Sequence, residues 1–213
     1  MAKYAHCMTA DFKNESGLWV ISYNPEPYVK AWTTAGKLWT NLNQRLRAKT
    51  KNNKLYSECS NNFKSFQEFA EWCQLQHGYL NKEDNGNYWS LDKDILGCGK
   101  SYDPSSCLFV PNFINVFFSY NKVNRGKFPI GVNFHKESGK FVAQCTVNGK
   151  QEHLGLYLHP MEAHKAWQET KLLQLEQLLS WSLETKHEKL ITALSYRVEL
   201  LKNQVIKGLE TLN

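Results

Sequence analysis

Amide, imidazole and hydroxyl side chains recur at alternate positions between residues 127 and 167. Asn133 and His135 are two residues apart, and Gln144 and Thr146 are two residues apart in the following segment. Because alternate side chains of an extended strand point to the same face, each pair would share one face of a sheet. Such a surface can exchange hydrogen bonds with base edges, and neighbouring lysines can attract phosphates. The pattern is therefore typical of a surface that reads a nucleic-acid groove.

Three short antiparallel strands and one helix are needed to position these side chains. The expected strands are Phe128–His135, Lys140–Val147 and Glu152–Tyr157, joined by the turn KESG and by the hairpin signal NGK. In the middle strand, alternation puts Phe141, Ala143, Cys145 and Val147 on one face and Val142, Gln144 and Thr146 on the other. After Pro160, the spacing of Ala163, Ala166 and Trp167 predicts an amphipathic helix that covers the apolar face.

The motifs of this segment carry a family resemblance. GV lies near the start of the first strand, GKFVAQ in the middle strand, HLGLY in the third strand and EAHKAW in the helix. The segment resembles the AP2 DNA-binding domain, and the resemblance implies that the sheet binds double-stranded DNA. Plant members carry several arginines and a tryptophan on the reading face, whereas this chain leaves phosphate contact to its lysines. The expected DNA-binding residues are Asn133, His135, Lys136, Lys140, Gln144, Thr146, Lys150 and His153.

A finger of two strands and a helix is expected before this segment. The strands are Tyr88–Asp92 and Cys107–Val110, with a turn at Asp103 and Pro104 between them and a helix that opens near Pro111. An FxxFxxW helix, an LDxD motif and a YxPxxC loop occur in the same order. This arrangement resembles the HNH endonucleases of bacteriophages, and an HNH module followed by an AP2 domain is a phage homing-endonuclease arrangement.

The HNH resemblance implies a catalytic site at the end of the first strand of the finger. Asp92 matches the metal ligand of that strand and Asn115 matches the ligand on the helix, which implies a divalent ion such as Mg²⁺ or Mn²⁺. Lys93 stands where the family has its general-base histidine, and Ser106 stands where it has an asparagine that braces the loop. A lysine ammonium keeps its proton at neutral pH, so Lys93 would stabilise phosphate charge instead. The candidate catalytic residues are Asp92, Lys93 and Asp94, with the alternative that both aspartates only cap the loop.

Positive charge is concentrated in two parts of the 213-residue chain, whose net charge is +6. Residues 37–54 contain six basic residues and no acid, and residues 122–150 contain six basic residues and one acid, Glu137. Either cluster could face phosphate. The six cysteines include no CxxC pair, so we expect reduced thiols and neither a disulfide framework nor a structural zinc site.

We expect an α+β fold in three parts. Residues 1–121 would form the HNH-like module with N-terminal helices, residues 122–170 the AP2-like domain and residues 171–213 a helical tail, with a linker in residues 117–125. In the first part, VKAWTTAGKLWTNLNQRLRAK and FKSFQEFAEWCQLQHG predict two helices. An apolar stripe in the tail indicates packing within the chain or a homodimer through the C-terminal helices. The stripe comprises Leu183, Leu190, Leu194, Val198, Leu201, Val205 and Leu209.

The sequence has neither the cationic and apolar start of a signal peptide nor a long apolar run. We therefore expect no membrane contact and a cytoplasmic location, in a bacterial host cell if a phage encodes the protein. The leading hypothesis is a DNA-binding protein that nicks or cleaves duplex DNA at a preferred site with a divalent metal. Two alternatives stay open: a nuclease-dead regulator or phage anti-host factor, favoured by Lys93 and Ser106, and a protein-interaction module.

Overall fold

The chain forms two compact units, residues 1–118 and residues 119–213, in a computed structural model. The structure describes residues 5–47, 58–96, 99–118 and 127–211. These residues form five helices and four small sheets, which confirms the α+β class, and none of the helices among them is long and apolar enough to cross a membrane. The expected boundary at residues 121 and 122, most of the linker, and five basic residues of the two charge clusters lie outside the described residues. Those basic residues are Lys49, Lys51, Lys54, Lys122 and Arg125.

The first unit opens with a three-stranded sheet of β1 (Ala5–Thr9), β2 (Ser22–Tyr23) and β3 (Val29–Thr33), with β3 in the middle. Helix α1 (Thr34–Arg47) follows β3 directly. The expected helix that began at Val29 is therefore wrong over residues 29–33. β-Branched residues at both ends of this segment and a partner strand on each side favour extended chain there. Thr33 then caps the helix, since its Oγ1 accepts the N–H of Gly36 at 3.1 Å.

Helix α2 (Phe66–Gln74) packs against α1 through an aromatic core. The ring centroid of Phe69 lies 5.0 Å from that of Phe63 and 5.4 Å from that of Trp39. The helix ends at Gln74 and does not extend to Gly78 as expected. Gly78 is instead required in the loop that follows, because its φ is +82° and a Cβ there would lie 2.3 Å from the Trp89 ring.

Four short strands complete the first unit: β4 (Ser60–Asn61), β5 (Ser90–Asp92), β6 (Ser101–Tyr102) and β7 (Leu108–Val110). Antiparallel β5 and β7, followed by α3 (Asn112–Phe118), have the strand, strand, helix order that the sequence predicts. The loop between β5 and β7 contains β6, which pairs in parallel with β4. That pairing attaches the loop of the finger to the segment before α2.

The second unit is a three-stranded antiparallel sheet covered on one face by a helix. Its strands are β8 (Val132–His135), β9 (Lys140–Val147) and β10 (Lys150–Tyr157), with β9 in the centre. The first strand starts later than expected because Pro129 and Gly131, the latter with a φ of +77°, form a turn closed by the Val132 N–H to the Pro129 carbonyl. Val132 and Ala143 pack against Ala163 of helix α4 (Pro160–Glu184), so the predicted covering helix is confirmed.

Helix α4 and helix α5 (Glu188–Lys207) form a helical hairpin. Most of the predicted stripe is buried in it: Leu190, Leu194, Val198 and Leu201 are at most 6% exposed. Leu183 and Leu209, at the two ends of the stripe, are 55% and 52% exposed. The position between residues 170 and 171, where the helical tail was expected to start, lies inside α4.

Candidate nucleic-acid interface

One face of the sheet in the second unit is turned away from α4, and we call it the open face. Strand register defines its members, because directly paired residues point to the same side. Asn133 pairs with Val142, which faces away from the helix, and His135 pairs with Lys140. On the other edge His153 pairs with Gln144. The open face comprises Asn133, His135, Lys140, Val142, Gln144, Thr146, Gln151, His153 and Leu156.

A row of three amides crosses the open face, one from each strand. The Oε1 atom of Gln144 on the central strand accepts the Nε2–H of Gln151 at 3.0 Å and the Nδ2–H of Asn133 at 3.5 Å. We call these three residues the amide row. Gln151 was not singled out from the sequence, although alternation continued back from His153 on the third strand places it on this face. The carbonyl oxygen of the central amide is therefore occupied by both of its neighbours.

The turn between β8 and β9 is fixed by His135. Its Nδ1 lies 2.9 Å from the Oγ of Ser138 and accepts the backbone N–H of the same residue at 3.4 Å. Lys136, in the turn, and Lys140, the first residue of β9, are both exposed. Two of the three lysines expected to contact phosphate, Lys136 and Lys140, therefore lie at one end of the open face, and the amide row crosses its middle.

Lys150 differs from the other expected DNA-binding residues in its position on the sheet. It pairs with Val147, which alternates with Thr146 and so points toward the side of the sheet that α4 covers. Lys150 is exposed at the end of the hairpin, but the register does not place it on the open face. The sequence did not show this because the residue was assigned to the turn, and the third strand in fact begins at Lys150.

At the finger, Asp92 ends β5 with a buried carboxylate that caps the loop. Its Oδ1 accepts the backbone N–H groups of Asp94 and Ile95, each at 2.8 Å. Burial raises the pKa of Asp92 above its usual range, and the two backbone hydrogen bonds oppose that rise. The loop-capping alternative raised from the sequence thus describes the hydrogen bonds that Asp92 makes.

Lys93 and Asp94 form an ion pair beside this cap. The Nζ of Lys93 lies 2.8 Å from the Oδ1 of Asp94 and 5.7 Å from the ring centroid of Tyr102. Lys93 is only 5% exposed, whereas the Asp94 side chain is 53% exposed. The lysine is thus held inside the loop by a carboxylate at the edge of the loop. Asn115, the expected metal ligand on the helix, lies on α3, which contacts β5.

Ser106 takes part in bracing the loop at the position where the resemblance expects an asparagine. The Oγ of Ser106 donates to the Ser101 carbonyl at 2.9 Å and accepts the Asp103 N–H at 3.3 Å. The Asp103 carboxylate accepts hydrogen bonds from Ser101, Ser105 and Ser106. Although burial opposes it, these hydrogen bonds lower the pKa of Asp103. The loop is therefore braced by a network of serines around one carboxylate.

Each of the two expected carboxylates at the end of β5 has one oxygen already engaged. One oxygen of Asp92 is occupied by two backbone amides, and one oxygen of Asp94 is occupied by the Lys93 ammonium. Mg²⁺ and Mn²⁺ require several oxygen ligands that are open to the ion. Among the residues that the structure describes, no group of three or more His, Cys, Asp and Glu side chains is placed to hold a metal.

Comparison of the chain with family models, with curated proteins and with solved structures gave no match.

Proposed function

We propose that the protein binds double-stranded DNA through the open face, with the amide row toward the base edges. The observation that carries this proposal is the row itself: three amides on an exposed sheet face are already hydrogen-bonded to one another. The major groove of B-DNA is wide enough for β-strands, and asparagine and glutamine are common partners of base edges there. The resemblance of the segment to AP2 domains supports the same assignment.

Lys136 and Lys140 supply the phosphate contacts in this proposal. Both are exposed at the end of the open face where His135 fixes the turn. A phosphate bound in this position would displace counterions from the duplex, so affinity would depend strongly on salt. The amide row would then add the preference for particular base pairs, which the lysines cannot supply.

The contacts within the finger favour a role in which the protein binds DNA as a regulator and does not cleave it. Asp92 is occupied as a loop cap, and the Lys93 ammonium is paired with the Asp94 carboxylate. Metal-dependent nicking is a second candidate, because the order of β5, β7 and α3 and the position of Asp92 at the end of β5 agree with the HNH resemblance. Nicking would require the carboxylates of the loop to rearrange around the ion.

Salt dependence of DNA binding tests the main proposal. A preferred duplex is first selected from a random-sequence pool, and its affinity is then measured by fluorescence anisotropy at several salt concentrations. For K136Q/K140Q we expect the slope of log affinity against log salt to fall in magnitude by about 1.8, at about 0.9 per phosphate. The matched control K165Q/K207Q removes the same charge from the helical hairpin and should leave the slope unchanged. Absence of binding to any duplex at low salt would refute the proposal.

A nicking assay separates the two candidate roles. Supercoiled plasmid that carries the selected site is incubated with the full chain and either Mg²⁺ or Mn²⁺, and Asp92→Ala is run in parallel. We expect the wild-type protein to bind the plasmid and leave it supercoiled. Nicking by the wild type that Asp92→Ala abolishes would overturn the non-cleaving role and establish the second candidate.

A further inference from the structure

Two lysines in the first unit converge on one tryptophan. The Nζ of Lys30 on β3 lies 4.3 Å from the ring centroid of Trp32, and the Nζ of Lys37 on α1 lies 5.0 Å from the same centroid. The electron-rich face of an indole ring attracts a cation, so the ring helps to hold each ammonium in position. Two like charges are thereby brought together although they repel one another.

No carboxylate neutralises this pair within the part of the chain that the structure describes. Neither Lys30 nor Lys37 is a member of any of its ion pairs. Helix α1 contains no acidic residue, and the sequence has none between Glu26 and Glu58. Lys37 also lies in the first turn of α1, where the positive end of the helix dipole is met by Asp11, whose Oδ1 accepts the Ala35 N–H at 2.9 Å. Asp11 is engaged by backbone and side-chain hydrogen bonds, and among the described residues it forms no ion pair with Lys30 or Lys37.

The exposed side of α1 continues the same surface. Gln44 is seven residues after Lys37, which puts both on one side of the helix, and Arg45 is next to it. Gln44, Arg45 and Arg47 are exposed, and the two arginines occupy the last turn. We call Lys30, Lys37, Gln44, Arg45 and Arg47 the α1 basic surface. It offers cations and an amide, with its one aromatic ring placed beneath the lysines.

We propose that the α1 basic surface binds the phosphate backbone of double-stranded DNA as a second contact, independent of base sequence. This inference rests on the proposed function, because a duplex held by the open face presents phosphates to the first unit at high effective concentration. Protein interfaces depend on buried aromatic anchors, whereas here the indole is partly covered by ammonium groups. Unneutralised cations with an accompanying amide fit phosphate oxygens.

The two units would then have different roles in DNA binding. The open face would choose the site, and the α1 basic surface would add affinity that falls with salt and does not change with sequence. Removing Lys30 and Lys37 should therefore weaken binding to the selected duplex and to a scrambled duplex by the same factor.

The test compares three charge variants of the full chain on the selected and scrambled duplexes. K30Q/K37Q should reduce the salt slope by about 1.8, at about 0.9 per phosphate, and leave the ratio of the two affinities unchanged. K13Q/K82Q is the matched control in the same unit, since Lys13 and Lys82 also lie over aromatic rings, at 4.7 Å and 4.8 Å, and should leave the slope unchanged. K30R/K37R keeps both charges and should retain the slope of the wild type.

The outcomes separate this inference from the proposed function. A slope for K30Q/K37Q equal to that of the wild type, with K136Q/K140Q still reducing it, would overturn the second contact and leave the open face as the DNA-binding surface. A change in K30Q/K37Q of the ratio between the affinities for the selected and scrambled duplexes would also overturn the second contact, because the α1 basic surface would then contribute to base recognition. If the wild type binds no duplex at all, the proposed function itself fails. Circular dichroism melts of each variant check that the fold is retained.

Discussion

His164 should be a main determinant of the stability of the second unit. Its ring is fully buried, with Nδ1 donating to the Ile130 carbonyl at 2.8 Å and Nε2 accepting the Thr211 N–H at 3.0 Å. It stacks on Trp167 with a centroid distance of 5.4 Å and an interplanar angle of 13°. One side chain of α4 thus attaches the turn before β8 and the segment after α5.

Substitution of His164 by Phe keeps a ring of similar size and removes both hydrogen bonds. The Ile130 carbonyl and the Thr211 N–H then lose their partner, and each buried polar group left in that state costs about 1–3 kcal/mol. Because Ile130 and Thr211 are both only partly buried, water can replace part of what each polar group loses. We therefore expect the free energy of unfolding to fall by about 2–4 kcal/mol at pH 8.

The same substitution should change how stability depends on pH. Burial lowers the pKa of His164 from its ordinary value of 6.5, and the hydrogen bond to Ile130 and the charge of Glu210 only partly oppose this. As the pH falls below 6.5, the unfolded chain takes up a proton that the folded chain refuses. The contribution of the neutral imidazole is therefore fully present above 6.5 and is lost as the pH falls toward the lowered folded value. His164→Phe lacks this loss, so the two proteins should become more similar in acid.

Urea denaturation followed by circular dichroism between about pH 5 and pH 8 measures this difference, and hydrogen exchange of β9 peptides reports on the second unit specifically. His153→Phe, on the open face, is the control and should change the free energy of unfolding by less than about 0.5 kcal/mol. A cost below about 1 kcal/mol for His164→Phe at pH 8, or a difference from the wild type that stays constant with pH, would refute the reasoning.

Two further predictions concern the constrained glycine Gly131 and the loop cap at Asp92. Gly131→Ala should destabilise the second unit by about 2–4 kcal/mol in thermal unfolding, because its Cβ would lie 2.1 Å from Cδ1 of Trp167 at a φ of +77°. Gly139→Ala meets no atom within 4 Å and should cost only about 1 kcal/mol for its positive φ, so equal costs would contradict the proposed clash. The free energy of unfolding of Asp92→Asn should stay within about 0.5 kcal/mol of the wild type, because an amide oxygen can still accept both N–H groups without burying a charge. Asp92→Ala removes the acceptor, and its free energy of unfolding should fall by about 2 kcal/mol. Equal losses in the two variants would show that the carboxylate does more than cap the loop.

The sequence predicted the second unit better than the first for a physical reason. Strict alternation in β9 and helical spacing after Pro160 are local signals, and both elements have the predicted type and position. In the first unit, Trp32 fits the helical spacing of α1 but belongs to β3, because β1 and β2, which precede it in the chain, pair with that segment on both sides. Local spacing carries no information about such pairing.

The candidate site was predictable to a similar extent. Alternation was sufficient to place Asn133, His135, Gln144 and Thr146 on one face, and it could have found Gln151. It could not reveal that Lys150 pairs with Val147, because that depends on where the hairpin turn begins. The hydrogen bonds of Asp92 could not be predicted from the sequence either, because its partners are backbone N–H groups whose positions depend on how the loop folds.

If the open face binds DNA as proposed, the amide row affects both the entropy of binding and the choice of base. Side chains that are already held by one another have fewer rotamers to lose on binding, a loss that otherwise costs about 0.5–1.5 kcal/mol for each immobilised side chain. The arrangement also limits what Gln144 can recognise. Glutamine reads adenine by donating to N7 and accepting from the N6 amino group, and the oxygen needed to accept is already bonded to Gln151 and Asn133. Unless the row opens, the centre of the sheet can only donate, and it would favour the acceptor-rich edge of guanine over that of adenine.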